Sequence, residues 1–108
     1  MTNHKNFIIC KDNKEQAGLI WLCNRAPFWR FKNQHVWIYN LHVLPNFRRQ
    51  GLGKALLLKA EEWCRMQELN TLALHVLKDN ILAIQLYELL NYKLVATHNV
   101  SCFYEKKI

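Results

Sequence analysis

Two glycines two positions apart, set among cations, are the first feature of this sequence that could do chemistry: Arg48-Arg49-Gln50-Gly51-Leu52-Gly53-Lys54-Ala55. Glycine leaves backbone N–H groups bare, so an anion can approach them, and a helix beginning at this point adds a partial positive charge. The arginines and the lysine add full charges. The pattern reads as a cradle for phosphate, but it is neither of the familiar nucleotide loops. The Gly-x-Gly-x-x-Gly fingerprint stops at Leu56, and no Ser or Thr follows Lys54 as a Walker A loop requires.

The elements that must position this cradle follow from periodicity. Phe7 to Cys10 and Ala17 to Cys23 read as two strands of an antiparallel hairpin. Between Asn24 and Asn33, aromatics alternate with cations around Pro27, which predicts a loop whose aromatics cover the domain edge, with an acceptor-side or dimer contact as its functional option. The third strand, Val36 to Leu44, changes parity. Val36 and Ile38 share one face, Leu41 and Val43 the other, and a β-bulge near Tyr39-Asn40 is the simplest way to bring all four inward.

Pro45 breaks that strand and the glycine-rich stretch starts a helix. Leu52, Leu56, Ala60 and Trp63 form its apolar stripe, widened by Ala55, Leu57, Leu58 and Cys64, while Lys54, Lys59, Glu61, Glu62 and Arg65 supply polar positions. The helix is expected to end near Leu69-Asn70. Thr71 to Leu77 is a strand, and strand, helix, strand in this order predicts a right-handed crossover with two parallel neighbours. Asp79 or Asn80 caps a second helix from about Ile81 to Leu90, and Asn91 ends it. Tyr92 to Val100 and Ser101 to Lys107 make the final pair of strands. The expected class is α/β (α+β): one domain over residues 1–108, a mixed, mostly antiparallel sheet with one central parallel pair and two helices.

Composition narrows the partners. Fifteen Lys and Arg against eight Asp and Glu give +7, which favours an anionic ligand. The cations are spread from Lys5 to Lys107 with no like-charged run, which argues against nucleic acid. Cys10, Cys23, Cys64 and Cys102 are far apart with no Cys-x-x-Cys pair, so no metal site and no disulfide framework is expected; buried thiols in a reducing cytoplasm are. The apolar run at Phe7 is too short for a leader or a membrane span.

Over roughly Trp37 to Val95 the sequence resembles the GNAT superfamily of N-acetyltransferases. Arg48-Arg49-Gln50-Gly51-Leu52-Gly53 matches the family's Arg/Gln-x-x-Gly-x-Gly/Ala loop. Asn80-Ile81-Leu82-Ala83-Ile84-Gln85-Leu86-Tyr87 matches its Asn-x-x-Ala-x-x-x-Tyr pattern, and Asn91-Tyr92 follows with Asn91 in place of the usual glycine. The resemblance implies that acetyl-CoA is bound by Arg48, Arg49, Gln50, Gly51, Leu52, Gly53, Lys54 and Ala55 at its pyrophosphate. It implies that Leu41, His42 and Val43 run beside the pantetheine arm, and that Asn80 and Tyr87 also contact the cofactor.

The reaction so implied is acetyl transfer from a thioester to an amine. Holding the two reactants together contributes about 7–11 kcal/mol, and a placed acid or base roughly 10²–10⁴-fold. Tyr87 matches the position that donates a proton to the departing thiolate; an ordinary phenol pKa near 10 keeps it protonated. No carboxylate stands at Tyr39 or Asn40, where polyamine-type relatives carry their base. His42 and His75, on the two central strands, titrate near neutrality and are read as structural residues first and bases second. Family domains usually begin with an extra strand and one or two helices that wall the acceptor side, and fewer than ten residues precede the first strand here. The expectation is an open cleft that takes a large acceptor or is completed by a second subunit in a homodimer. A catalytically silent acyl-CoA-binding module is the alternative class.

Overall fold

The computed structural model describes residues 4–11, 15–45, 48 and 51–108. The described chain forms β1 (His4–Lys11), β2 (Glu15–Arg25), β3 (His35–Val43), α1 (Leu52–Met66), β4 (Thr71–Leu77), α2 (Ile81–Leu89), β5 (Lys93–His98) and β6 (Ser101–Lys107). One sheet runs in the order β1-β2-β3-β4-β6-β5. Its only parallel pair among the described residues is β3 with β4, as a helical crossover demands. Both flanking pairs are antiparallel hairpins.

Alternation along the strands, interrupted where the register shifts, divides the side chains between two faces. Ile20, Leu22, Val36, Ile38, Leu72, Leu74, Cys102 and Tyr104 meet Leu56, Leu57, Ala60 and Trp63 of α1, and Tyr87 of α2, in the main core. The opposite face buries Trp37 and Ala73 under Phe31. Phe31 belongs to the aromatic loop, which closes on itself through paired backbone bonds between Phe28 and Phe31. The loop therefore covers the sheet face, with Phe28 and Trp29 exposed and only Phe31 fully inserted.

Four expectations needed correction. Leu58 is exposed, while Glu61, read as a polar surface position, is buried. It survives there because Lys106 of β6 approaches its carboxylate at 3.0 Å and Arg65 at 3.8 Å, so the charge is paired across the helix–sheet interface. Of the four cysteines, all free, only Cys64 and Cys102 are buried; Cys10 is exposed and Cys23 half-buried. The first helix ends at Met66 rather than near Asn70, and the left-handed residue after it is Glu68, φ 60°.

That C-terminus is closed by N–H bonds from Glu68 to the Arg65 carbonyl and from Leu69 to the Cys64 carbonyl, an arrangement that ordinarily places glycine at the left-handed position. Glu68→Gly is expected to stabilise the fold by about 0.5–1 kcal/mol, because the Cβ penalty at positive φ disappears. Thermal unfolding checks it: the midpoint should rise by a few degrees. Asn91, φ 73°, does the same service after α2, which explains why asparagine can stand where glycine was expected.

Candidate active site

The site begins at a fault in the sheet. β2 and β3 pair regularly from Arg25↔His35 to Leu22↔Ile38, then resume at Trp21↔Asn40, so Tyr39 has no partner on β2. This is the bulge expected from the change of parity, with Tyr39 as the extra residue. On the other side of β3, pairing with β4 stops at Ile38↔Leu74. Beyond these residues the two parallel strands part, and the β3 edge facing β4 is left without a strand to bond.

The parting opens a cleft of about 480 Å³. Tyr39 to Val43 form one wall, His75 to Leu77 the other, and Asn80, Ala83, Leu86 and Tyr87 of α2 the roof, with Arg48 and Gly53 at the far end. An extended ligand entering here would meet free backbone donors and acceptors of β3, as an added strand would.

The start of α1 supplies an anion site at the far end. Gly51 is the N-cap, with φ 76° and no side-chain cap, a conformation that glycine adopts without penalty. The first bond of the helix runs from the Ala55 N–H to the Gly51 carbonyl at 3.0 Å. The N–H groups of Leu52, Gly53 and Lys54 precede it and have no intrahelical acceptor. Ala55, included in the expected cradle, therefore has its own N–H already engaged. Arg48 donates from Nε to the Val43 carbonyl at 3.1 Å, which fixes the guanidinium beside the cleft. Arg49 and Gln50 lie outside the described residues, and Lys54 is exposed on the helix surface.

The two glycines have different duties. A Cβ on Gly51 would meet nothing within 4 Å, whereas a Cβ on Gly53 would lie 2.9 Å from Cδ2 of Leu86. Gly53 thus allows α2 to close over α1, and the second motif is brought to the first by that contact. Asn80 accepts from the Ala83 N–H at 3.4 Å and so caps α2, leaving its side-chain N–H₂ as the group with donors to spare.

Tyr87 is buried at the last turn of α2, with its ring edge-on to Tyr92 at 5.6 Å, yet it lines the cleft. Burial pushes its hydroxyl up to about 12, so it is a hydrogen-bond donor at any ordinary pH. His42 and His75 both line the cleft and both are exposed. His75 Nε2 lies 2.7 Å from Ser101 Oγ and its ring tilts against Phe103 at 5.4 Å. If Nε2 carries the proton and donates to Ser101, Nδ1 is left as the basic nitrogen. Among the described residues no Asp or Glu lines the cleft.

A second cavity, about 430 Å³, lies on the sheet face that carries the aromatic loop. It shares Ile38, Tyr39 and His75 with the cleft, so the two spaces meet at the bulge. Its remaining walls are Arg25, Phe28, Trp37 and Phe103. The alternation of cations and aromatics between Arg25 and Phe31 was the only sequence signal for it. His35, buried beneath, carried no such signal: its Nδ1 is 2.9 Å from the Asn33 carbonyl, and desolvation lowers its pKa, so it is a neutral structural residue.

Among the described residues no group of His, Cys, Asp and Glu could hold a metal, and no helix is long and apolar enough to cross a membrane. Residues 1–92 match the acetyltransferase (GNAT) family. The uncharacterized N-acetyltransferase YdgE of Bacillus subtilis is 31% identical over 91 residues, which are 84% of this chain and 56% of YdgE. PaiA N-acetyltransferase from Thermoplasma acidophilum, solved in complex with coenzyme A, superposes with a TM-score of 0.86 at 22% identity over 98% of this chain and 62% of its own. The ribosomal-protein-S18-alanine N-acetyltransferase of Escherichia coli gives 0.79 at 24% identity, covering 98% and 70%. At such identities the structures establish the fold. The chain spans less than two thirds of YdgE and of PaiA.

Proposed function

The chain belongs to the acetyltransferase (GNAT) family, and from that premise we propose that it is an acetyl-CoA-dependent N-acetyltransferase acting on an amine. The observation that carries this reading is the parting of β3 and β4 beyond Ile38 and Leu74, with the uncapped start of α1 at one end and Tyr87 in the wall. The donor set suits the cofactor. The N–H groups of Leu52, Gly53 and Lys54, with Gly51 shaping the turn and Arg48 beside it, would hold the pyrophosphate. The unpaired edge from Leu41 through His42 to Val43 would bond the pantetheine amides, and Asn80 would donate from its free amide. PaiA, solved with coenzyme A, has the same fold, which supports the choice.

In transfer, the amine nitrogen attacks the thioester carbonyl carbon, a C–N bond forms, and the C–S bond breaks. The sulfur leaves with the electron pair. Tyr87, kept protonated by burial, donates a hydrogen bond to the charge that develops there. The amine proton goes to water or to Nδ1 of His75, which lines both the cleft and the second cavity. His42 lines only the cleft, which makes it a wall residue in this reading.

Thiol release from acetyl-CoA across a panel of primary amines tests the enzyme. Release above the uncatalysed rate with at least one amine is expected. A second reading, a silent acyl-CoA-binding module, is favoured by the absence of a carboxylate base among the described residues of the cleft walls. Acetyl-CoA binding with no release for any amine would select it.

For its setting, we place the protein in the cytoplasm as a homodimer. The free thiols fit a reducing compartment, and α2 with its following hairpin exposes Leu82, Leu89 and Val100 at 75%, 76% and 66%, an apolar surface that a second copy would cover. Sedimentation equilibrium at the mass of a single chain would contradict the dimer.

A further inference from the structure

The second cavity carries information about the acceptor. Arg25 is the one formally charged residue among the described residues of its lining. The guanidinium carbon lies 4.1 Å from the centroid of Phe28 and 4.5 Å from that of Trp37, so the cation is seated against two aromatic rings. Neither ring offers a carboxylate partner for its N–H groups, and a guanidinium can grip a carboxylate with two parallel bonds. Among the described residues, no carboxylate pairs with Arg25 at ion-pair distance. A guanidinium seated against two rings, without an internal anion among the described residues and set in the wall of an aromatic cavity, suits an anion from outside.

We propose that this cavity receives the acceptor, and that the acceptor is a small amine carrying a carboxylate at the far end of an apolar body, with Arg25 as the residue that selects it. The inference rests on the acetyltransferase reading for the identity of the amine as acceptor, and on the cavity alone for the carboxylate. The spacing follows from the strand. Arg25 sits over Trp37, and the opening to the cleft is at Tyr39, two residues or roughly 7 Å further along β3. Nitrogen and carboxylate must therefore be several bonds apart. Apolar walls from Phe28, Trp37 and Phe103 favour a flat body between them and a single negative charge over a multiply charged group. Among the described residues of the lining no Asp or Glu pairs with the amine as an ammonium ion, which favours loss of its proton before attack.

Calorimetry with 4-(aminomethyl)benzoate, its methyl ester and benzylamine separates the carboxylate from the body and the amine. The wild-type protein is expected to bind the carboxylate about tenfold or more tightly than either neutral analogue, a ratio in keeping with a charge-assisted pair. Arg25→Gln should remove that preference while changing the ester's affinity by less than about threefold, and Arg25→Lys should restore part of it. Equal wild-type affinities, no binding of any of the three, or a preference that survives Arg25→Gln would overturn the inference. Thiol release measured with the same three compounds keeps the two readings apart. A binding preference without transfer would leave the Arg25 site standing and remove the enzyme, whereas transfer without preference would do the reverse.

Discussion

Gly53→Leu is expected to weaken acetyl-CoA binding by about 100-fold or more, with the sheet still folded. Two effects act together. A Cβ at this position would lie 2.9 Å from Leu86 Cδ2, so the Leu86 side chain must move, and the rest of a leucine side chain must be housed under the roof of the cleft. The larger side chain also projects from a residue that lines the cleft, against the N–H groups of the first turn of α1. Three orphan N–H groups facing a charged ligand are worth about 3 kcal/mol or more in sum, which is roughly 100-fold in affinity. Gly51→Ala is the informative control. Its Cβ would meet nothing, and the cost is confined to the left-handed conformation, about 1–2 kcal/mol in local stability. Calorimetry should show a much smaller loss of affinity for Gly51→Ala than for Gly53→Leu. The reverse order would mean that packing of α2 on α1 does not shape the cleft.

Tyr87→Phe carries the second large effect. Turnover is expected to fall about 10²-fold, within the range that a placed proton donor contributes, while the acetyl-CoA dissociation constant moves by less than about threefold. The ring remains in the core against Tyr92, so the substitution removes the hydroxyl and little else. The pH dependence follows from the direction of the shift. Burial raises the phenol to about 12, the donor form is the protonated one, and activity that depends on it persists below that value and is lost above it. Wild-type turnover should therefore show no alkaline loss attributable to Tyr87 at the pH of ordinary assays. An unchanged turnover in Tyr87→Phe would remove the residue from the chemistry.

Much of the architecture was legible because periodicity reports burial. The change of parity between Ile38 and Leu41 placed the bulge within one residue of Tyr39, and the order strand, helix, strand implied the parallel pair. Glu61 was read as surface because its partner on β6, Lys106, is 45 positions away, and one-dimensional spacing cannot bring them together. The same limit hid the division of labour between the glycines: only the approach of Leu86 distinguishes packing at Gly53 from conformation at Gly51. Phe31 was read as part of the aromatic loop and His35 drew no reading, yet both are buried on the far face, where the loop folds back over Trp37. The second cavity was the least legible feature. Its walls come from the end of β2, the loop, β3, β4 and β6, and no local pattern joins Arg25 to Phe103.

The central claim is that the space between β3 and β4 is the acetyl-CoA site. Amide chemical shifts during titration of the protein with acetyl-CoA test it most directly. The account predicts large shifts at Leu52, Gly53 and Lys54, at Leu41 to Val43 and at Asn80, with β1 and β5 unmoved. Saturating acetyl-CoA that leaves those amides in place, or that moves β1 and β5 instead, would contradict it.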